Sequence, residues 1–287
     1  MARKVTTPSE LDVPAFLMNV PFTVDNREPN NPLMTDRTPY DYGRAHRQWM
    51  TLYRALAAAG LVCLMPHDGS AFQDLPFVAN LGAFLPHRGH IVLSRFRSTP
   101  RQGEEIVGGR FLSSMGYRPQ ACPRYWEGEA DLKFIREELY IGGYGIRTDP
   151  ASYQWMAEAF DMTVVAVRMT DERLYHFDCL FFPLTAYKAL VATAALDLAD
   201  VRRIEQHLEI IDVPKRYVYD GWTNAVRLNS RILVDMPPTR ESRHALEDLI
   251  VRQGFEPAVI DLGEFAKSGA DLSCLCMHLN FNGRRQE

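Results

Sequence analysis

The residues best suited to chemistry gather in a few polar clusters set within apolar sequence. Ser268-Gly-Ala-Asp-Leu-Ser-Cys-Leu-Cys-Met-His-Leu279 brings two thiols and an imidazole together. On a strand, Cys274, Cys276 and His278 would share one face. They would give a metal only three ligands with an awkward spread, so no metal is expected. A cysteine nucleophile working with a distant histidine suits the segment better, because a thiolate needs only a base or a neighbouring cation. A histidine is available in Leu174-Tyr-His-Phe-Asp-Cys-Leu-Phe-Phe182, where His176 and Asp178, two apart, would point to the same side of a strand. A histidine alone in apolar surroundings is more often a satisfied core residue; a carboxylate on the same face makes general acid–base work an equal reading.

Two further segments are less specific. Trp126-Glu-Gly-Glu-Ala-Asp-Leu132 carries three carboxylates that suit either a solvated turn or a site. The glycines of Gly142-Gly-Tyr-Gly-Ile-Arg-Thr-Asp149 could let backbone approach a ligand, but the segment matches neither the dinucleotide-binding nor the P-loop pattern. Cys63, Cys122 and Cys179 sit in apolar strand-like sequence and read as buried thiols.

The elements that must position these groups follow one theme: paired strand signals, an amphipathic helix, then another short strand. It recurs five times. A strand at 16–22 leads through a Pro/Asn-rich loop to a helix at 42–59 and a strand at 61–65, with Gly60 as the helix C-cap. The second unit has strands at 77–85 and 90–95, a helix at 102–115 and a strand at 118–122. The third has strands at 125–135 and 139–142, a helix at 150–160 and a strand at 163–168. Strands at 174–182 and 189–192, a helix at 199–207 and a strand at 208–213 make the fourth. The fifth has strands at 224–228 and 231–234, a helix at 240–253 and a strand at 256–261. A last strand at 272–280 completes the hairpin opened by the first. Repeated ββαβ-like units without a linker favour a single cyclic α/β domain over residues 1–287, not a doubly wound sheet.

Composition bounds the function. With 46% hydrophobic residues, 24% charged and a formal net charge of −4, the chain can bury a large core. Its basic residues are scattered among acidic ones, so no nucleic-acid partner is expected. No apolar run is long enough to cross a bilayer and the first residues lack a leader's apolar core, so no membrane association and a cytoplasmic location are expected. Five cysteines without CxxC spacing argue for reduced thiols.

Five segments, in order, resemble those of the penteins, the guanidine-modifying superfamily of arginine deiminases, dimethylarginine dimethylaminohydrolases, arginine dihydrolases and amidinotransferases. They are Asp74-Leu-Pro-Phe-Val-Ala-Asn80, Trp126-Glu-Gly-Glu-Ala-Asp131, Gly145-Ile-Arg-Thr148, His176-Phe-Asp178 and Gly269-Ala-Asp-Leu-Ser-Cys274. The resemblance spans nearly the whole chain and implies a five-bladed α/β propeller of pseudo-repeated ββαβ units around a buried polar channel. It implies Cys274 as nucleophile, in preference to Cys276, with His176 as general acid/base and Glu127 as the acid supporting it. It also implies Asp178 as the carboxylate holding the guanidinium, Arg147 and more weakly Arg95 as partners of the substrate carboxylate, and Asp74 at the substrate entrance.

Two departures stand out. Asn80 replaces the Asp of many members, giving one acceptor oxygen and no charge; arginine dihydrolases, which take arginine through to ornithine, are similar in having Asn there. Glu129 is added in place of a Gly-Gly-Asp run, with no role assigned. The resemblance implies hydrolysis of arginine or a substituted arginine through an S-alkylthiouronium on Cys274, without a cofactor. Amidino transfer to an amine and non-catalytic guanidine binding stay open. The loop at 25–42 reads equally as a lid or as plain surface, and a homodimer is the oligomeric expectation.

Overall fold

The computed structural model describes residues 6–36, 38–67 and 72–283. The first five residues, read above for a leader, and position 37 of the long loop lie outside them. Among the described residues there are five α-helices, three of them begun by a capping side chain. In α1 (Tyr42–Ala57), Trp49, Leu52 and Leu56 fall on one buried face, and the Asp41 side chain accepts from the Arg44 backbone N–H. Asp149 caps α3 (Pro150–Phe160), where Pro150 occupies a first-turn position that needs no N–H donor. Thr239 caps α5 (Arg240–Arg252), and such a cap contributes about 1 kcal/mol. The other two helices are Glu104–Ser114 and Leu198–Glu205, here α2 and α4.

The strands form five three-stranded sheets of one pattern. In the second unit β3 (Gly82–Leu85) pairs antiparallel with β4 (His90–Leu93), the chain crosses over through α2, and β5 (Gln120–Ala121) pairs parallel to β4. The third repeats this with β6 (Leu132–Arg136), β7 (Leu139–Tyr144) and β8 (Thr163–Arg168). The fourth has β9 (Phe181–Pro183), β10 (Lys188–Val191) and β11 (Glu209–Asp212). The fifth has β12 (Ala225–Leu228), β13 (Arg231–Asp235) and β14 (Glu256–Ile260). In the first, β1 (Ala15–Asn19) pairs parallel with β2 (Leu61–Met65), and its antiparallel partner is β15 (Met277–His278), so the two ends of the described chain complete one blade.

Burial grades across every blade. The strands leading each unit, β15, β3, β6, β9 and β12, are almost wholly buried. Those ending each unit, β2, β5, β8, β11 and β14, are mostly half-buried or exposed. Strands covered on both faces read as continuous apolar runs, which is why the leading strands show no alternation. Neighbouring blades touch through β15 with β3 and β6 with β9, and α1 packs on both β2 and β14, joining first blade to fifth. The architecture is a five-bladed α/β propeller.

The long leading strands expected at 77–85, 125–135, 174–182 and 272–280 are each shorter. A 3-10 turn occupies the first part: Val78–Asn80, Gly128–Ala130, Phe177–Cys179 and Ser273–Leu275. An apolar run satisfies a buried turn as well as a buried strand, so periodicity could not separate them. Gly60 also differs from its expected role. It does not take a left-handed C-cap conformation; an added Cβ would lie 2.0 Å from the Pro14 carbonyl oxygen, so close backbone approach demands glycine there.

Candidate active site

The turns that replace those strands carry most of the polar groups singled out above. Asn80, Glu127 and Glu129, His176 and Asp178, and Ser273 with Cys274 all stand at the entry of a leading strand, at the same position in four blades. The fifth supplies Asn224, just before β12 and held by a bond from its N–H to the Gly221 carbonyl at 3.0 Å. Pseudo-repetition thus converges one turn per blade on a common centre.

Between the turns lies a cavity of about 10 Å³, room for about one water. Asp74, Asn80, Arg147, Tyr175, His176 and Cys274 line it, together with Asn30 and Asn31 of the long loop. His176 and Cys274, from the third-from-last and last turns, therefore face one space. Glu127 and Asp178 stand just behind the wall, both almost fully buried.

Glu127 organises one side. Its Oε2 lies 2.8 Å from His176 Nε2 and 3.1 Å from Arg147 Nη1, and its Oε1 accepts from the Arg97 backbone N–H at 3.2 Å. Burial alone would push this carboxyl up, but Arg147 and the bonded His176 outweigh it and hold it at about 2, an ionised group. Asp131, two residues past Glu129, accepts from the Phe177 backbone N–H at 3.0 Å and from Thr148 Oγ1 at 2.6 Å, which pins the His176 turn to the Arg147 loop. Gly128 permits this geometry: its φ is +72°, and an added Cβ would meet the Ala79 carbonyl oxygen at 2.5 Å.

Cys274 lies on the other side. Asn224 reaches in with Nδ2 3.7 Å from Sγ and with Oδ1 accepting the Ser273 N–H at 2.7 Å. Asp178 accepts from Ser273 Oγ at 2.9 Å. Burial pushes the Cys274 thiol up, and the Asp178 and Asp271 carboxylates push it further, so sulfur is protonated while no cation is bound. A cation entering beside those carboxylates would reverse the field that keeps the proton on sulfur.

No family model matches the chain. Sequence relatives do. The chain is 31% identical over 244 residues, 82% of its length, to the bifunctional arginine dihydrolase/ornithine cyclodeaminase ArgZ of Synechocystis sp.. It spans about a third of the length of the first curated relatives it matches. An N(G),N(G)-dimethylarginine dimethylaminohydrolase of Mycobacterium tuberculosis is 28% identical over 251 residues, 87% of this chain and 80% of that protein. The N-terminal domain of ArgZ, solved covalently bound to a reaction intermediate, superimposes with a TM-score of 0.86 at 28% identity, over 93% of this chain and 98% of that one. The chain belongs to the pentein superfamily.

Within this pentein, two expected juxtapositions are absent. His176 and Asp178 do not share a strand face: His176 is extended, with φ −120° and ψ 156°, and Asp178 lies in the following 3-10 turn. The turn sends them to separate partners, Glu127 and Ser273. Likewise Cys274 belongs to a turn, Cys276 to an extended link and His278 to β15, so they form no common face. Arg95 is exposed, donates from Nη1 to the Pro123 carbonyl at 2.7 Å and lies over the Tyr125 ring, away from the cavity.

Several site groups escaped the sequence reading. Arg101 is buried, bonded through Nη2 to Glu104 Oε2 at 2.7 Å and through Nη1 to Asn80 Oδ1 at 2.8 Å. Its signal was an Arg-x-x-Glu pair at a helix start, which ordinarily marks a solvated turn. Asn30 and Asn31 reach the cavity from the long loop. The Asn30 carbonyl accepts from Arg147 Nη2 at 2.5 Å, its amide bonds Asp74 Oδ2, and Asn31 Nδ2 donates to the Ser268 carbonyl at 3.0 Å. Asp74 Oδ1 is buried without a hydrogen-bond partner, a polar atom on the cavity wall left for something else to meet. Among the described residues no group of three or more His, Cys, Asp or Glu side chains could hold a metal ion, and no helix is long and apolar enough to cross a membrane.

Proposed function

We propose that this pentein is a cysteine-dependent hydrolase that acts on the guanidinium group of arginine or a substituted arginine, with residues 1–287 as one catalytic domain. The observation that carries this reading is the convergence of Cys274 and the Glu127-bonded His176 on one cavity backed by carboxylates. It is supported by a relative of the same fold, a domain of ArgZ solved covalently bound to a reaction intermediate.

A guanidinium is a resonance-stabilised cation that water attacks very slowly, so a stronger nucleophile and a proton donor are both required. The substrate cation enters between the turns, with Asp178 and Glu127 as the anions that balance it and Arg147 available to its carboxylate. Its charge lowers the Cys274 thiol, whose proton passes to His176. Sulfur attacks the guanidinium carbon, forming the C–S bond. The C–N bond to the leaving nitrogen breaks as His176 returns the proton to that nitrogen. Neutral His176 then takes a proton from water, which adds to the S-alkylthiouronium carbon; the C–S bond breaks to leave a ureido product, and His176 returns its proton to the departing Cys274 sulfur. Glu127, ionised throughout, stabilises His176 in its cationic form.

Asn80 bears on substrate and outcome. A neutral amide held by Arg101 leaves the cavity one carboxylate short of the usual set, which favours two hydrolytic rounds and release of ornithine. Product analysis by mass spectrometry across arginine, methylated arginines and other ω-guanidino acids, with and without an added amine, tests the reading. Ornithine or a ureido product with free ammonia or alkylamine is expected. A guanidino product on the added amine would make the chain an amidinotransferase, and binding without turnover would make it a guanidine-binding protein. A cytoplasmic location and a homodimer complete the proposal; sedimentation at micromolar concentration decides the second.

A further inference from the structure

Glu129, the carboxylate that departs from the superfamily's Gly-Gly-Asp pattern, is buried in the 3-10 turn that Glu127 opens, two residues on, and meets different partners. It meets His278 twice. The His278 backbone N–H donates to Oε2 at 2.9 Å, and the ring Nδ1 bonds Oε1. His278 lies four residues past Cys274, paired with Phe16 of β1, and its ring stacks on Phe281 with centroids 4.8 Å apart. Burial would push the Glu129 carboxyl up, but His278 and Lys133 hold it at about 2, so the bond joins an anion to a fixed donor pair. Of the turns around the cavity, one per blade, two carry Glu127 and Cys274, and the Glu129–His278 bond connects the segments on which they stand. Cys276 lies between, its thiol pushed up by burial and by Glu129, which keeps it a packing group.

We propose that Glu129 is a positioning residue, whose two-point bond to His278 fixes the Cys274 turn against the turn that carries Glu127 and, through it, His176. The proposal rests on the reading of Cys274 and His176 as the reacting pair. A misplacement of about 1 Å between reacting groups costs up to about a hundredfold in rate, so such a bond matters most for kcat. An amide at position 129 would still accept the backbone N–H, but it would not hold the ring as an ion does.

The test is Glu129→Gln in the full chain, read by arginine kinetics and by the rate at which iodoacetamide labels each cysteine, followed by peptide fragmentation well below the melting temperature. The expected result is a kcat lower by about tenfold or more with KM within about threefold, and Cys274 labelled faster while Cys63 and Cys122 are unchanged. An unchanged kcat, or equal acceleration of all thiols, would overturn the proposal. Should Glu129→Gln fail to fold, His278→Gln is read in the same way, since it keeps the backbone bond; failure of both would assign the pair to folding and overturn the positioning role. If the parent chain turns over no guanidine, the hydrolase reading fails separately, and the cysteine-specific labelling alone decides the Glu129 claim.

Discussion

His176 Nε2 lies 2.8 Å from Glu127 Oε2, and the carboxylate that holds it is fully buried. An imidazole so placed can accept the thiol proton without leaving its cationic form unbalanced, and Arg147, 3.1 Å from the same oxygen, keeps that carboxylate ionised. Glu127→Gln should therefore lower kcat by about 10² to 10⁴, the range of general acid–base assistance, with a smaller change in KM. Steady-state kinetics on the preferred guanidine measures it; a loss confined to KM would reduce Glu127 to a binding group.

The Cys274 thiol is held up by burial and by Asp178 and Asp271, so its reactivity should depend on a bound cation. At neutral pH a cationic haloacetamidine should alkylate Cys274 about tenfold or more faster than neutral iodoacetamide, and the gap should close as pH rises. Stopped-time labelling across pH checks this. Equal rates at neutral pH would mean that the thiolate is already present without a ligand.

Asn80 and Arg101 form a pair in which a neutral amide oxygen takes a buried guanidinium N–H at 2.8 Å. Asn80→Asp adds a charge that competes for both Arg101 and the substrate cation. The expected outcome is a product shift from ornithine toward citrulline, read by mass spectrometry of the reaction mixture, with total arginine consumption changed by less than about tenfold. Ornithine as the continued sole product would remove Asn80 from the choice.

Arg147 bridges Glu127 and the Asn30 carbonyl, so one planar side chain ties the site to the loop above it. Arg147→Lys keeps the charge but cannot reproduce the fork of donors. The apparent Kd for arginine should rise by about ten- to a hundredfold, by calorimetry on an inactive Cys274→Ser background. Unchanged affinity would place the loop contact outside the binding step.

Acid stability should follow two carboxylates. Glu127 and Glu129 are held at about 2 in the folded chain, against a usual 4.5. Their contribution is fully present above about pH 4.5 and is lost as pH falls toward about 2, because the unfolded chain binds the proton first. Melting temperature against pH should fall less steeply through that window in Glu129→Gln than in the parent; parallel curves would contradict the assignment.

Much of this was legible in the sequence. The five helices stand within a few residues of their expected positions, α1 and α5 because Trp49, Leu52 and Leu56, and Leu246, Leu249 and Ile250, give each a periodic apolar face to bury, and α3 and β8 match throughout. The leading strands were read too long, since a run such as Phe177–Cys179 is buried whether it is extended or turned. That same ambiguity hid why His176 and Asp178 part company. Arg101 and Asn224 were missed for another reason: their importance comes from partners far away in sequence, and the one local mark, the Arg-x-x-Glu pair of Arg101, ordinarily belongs to a solvated turn. Arg95 was implied as a weaker partner of the substrate carboxylate by the resemblance, yet it is exposed and lies over the Tyr125 ring, away from the cavity.

The most direct measurement is acid quenching during arginine turnover, followed by intact-mass and fragment analysis of the chain. A substrate-derived adduct on the Cys274 sulfur, absent in Cys274→Ser, is the expected result. Turnover that proceeds with no adduct on Cys274, or with the adduct on Cys276, would contradict it.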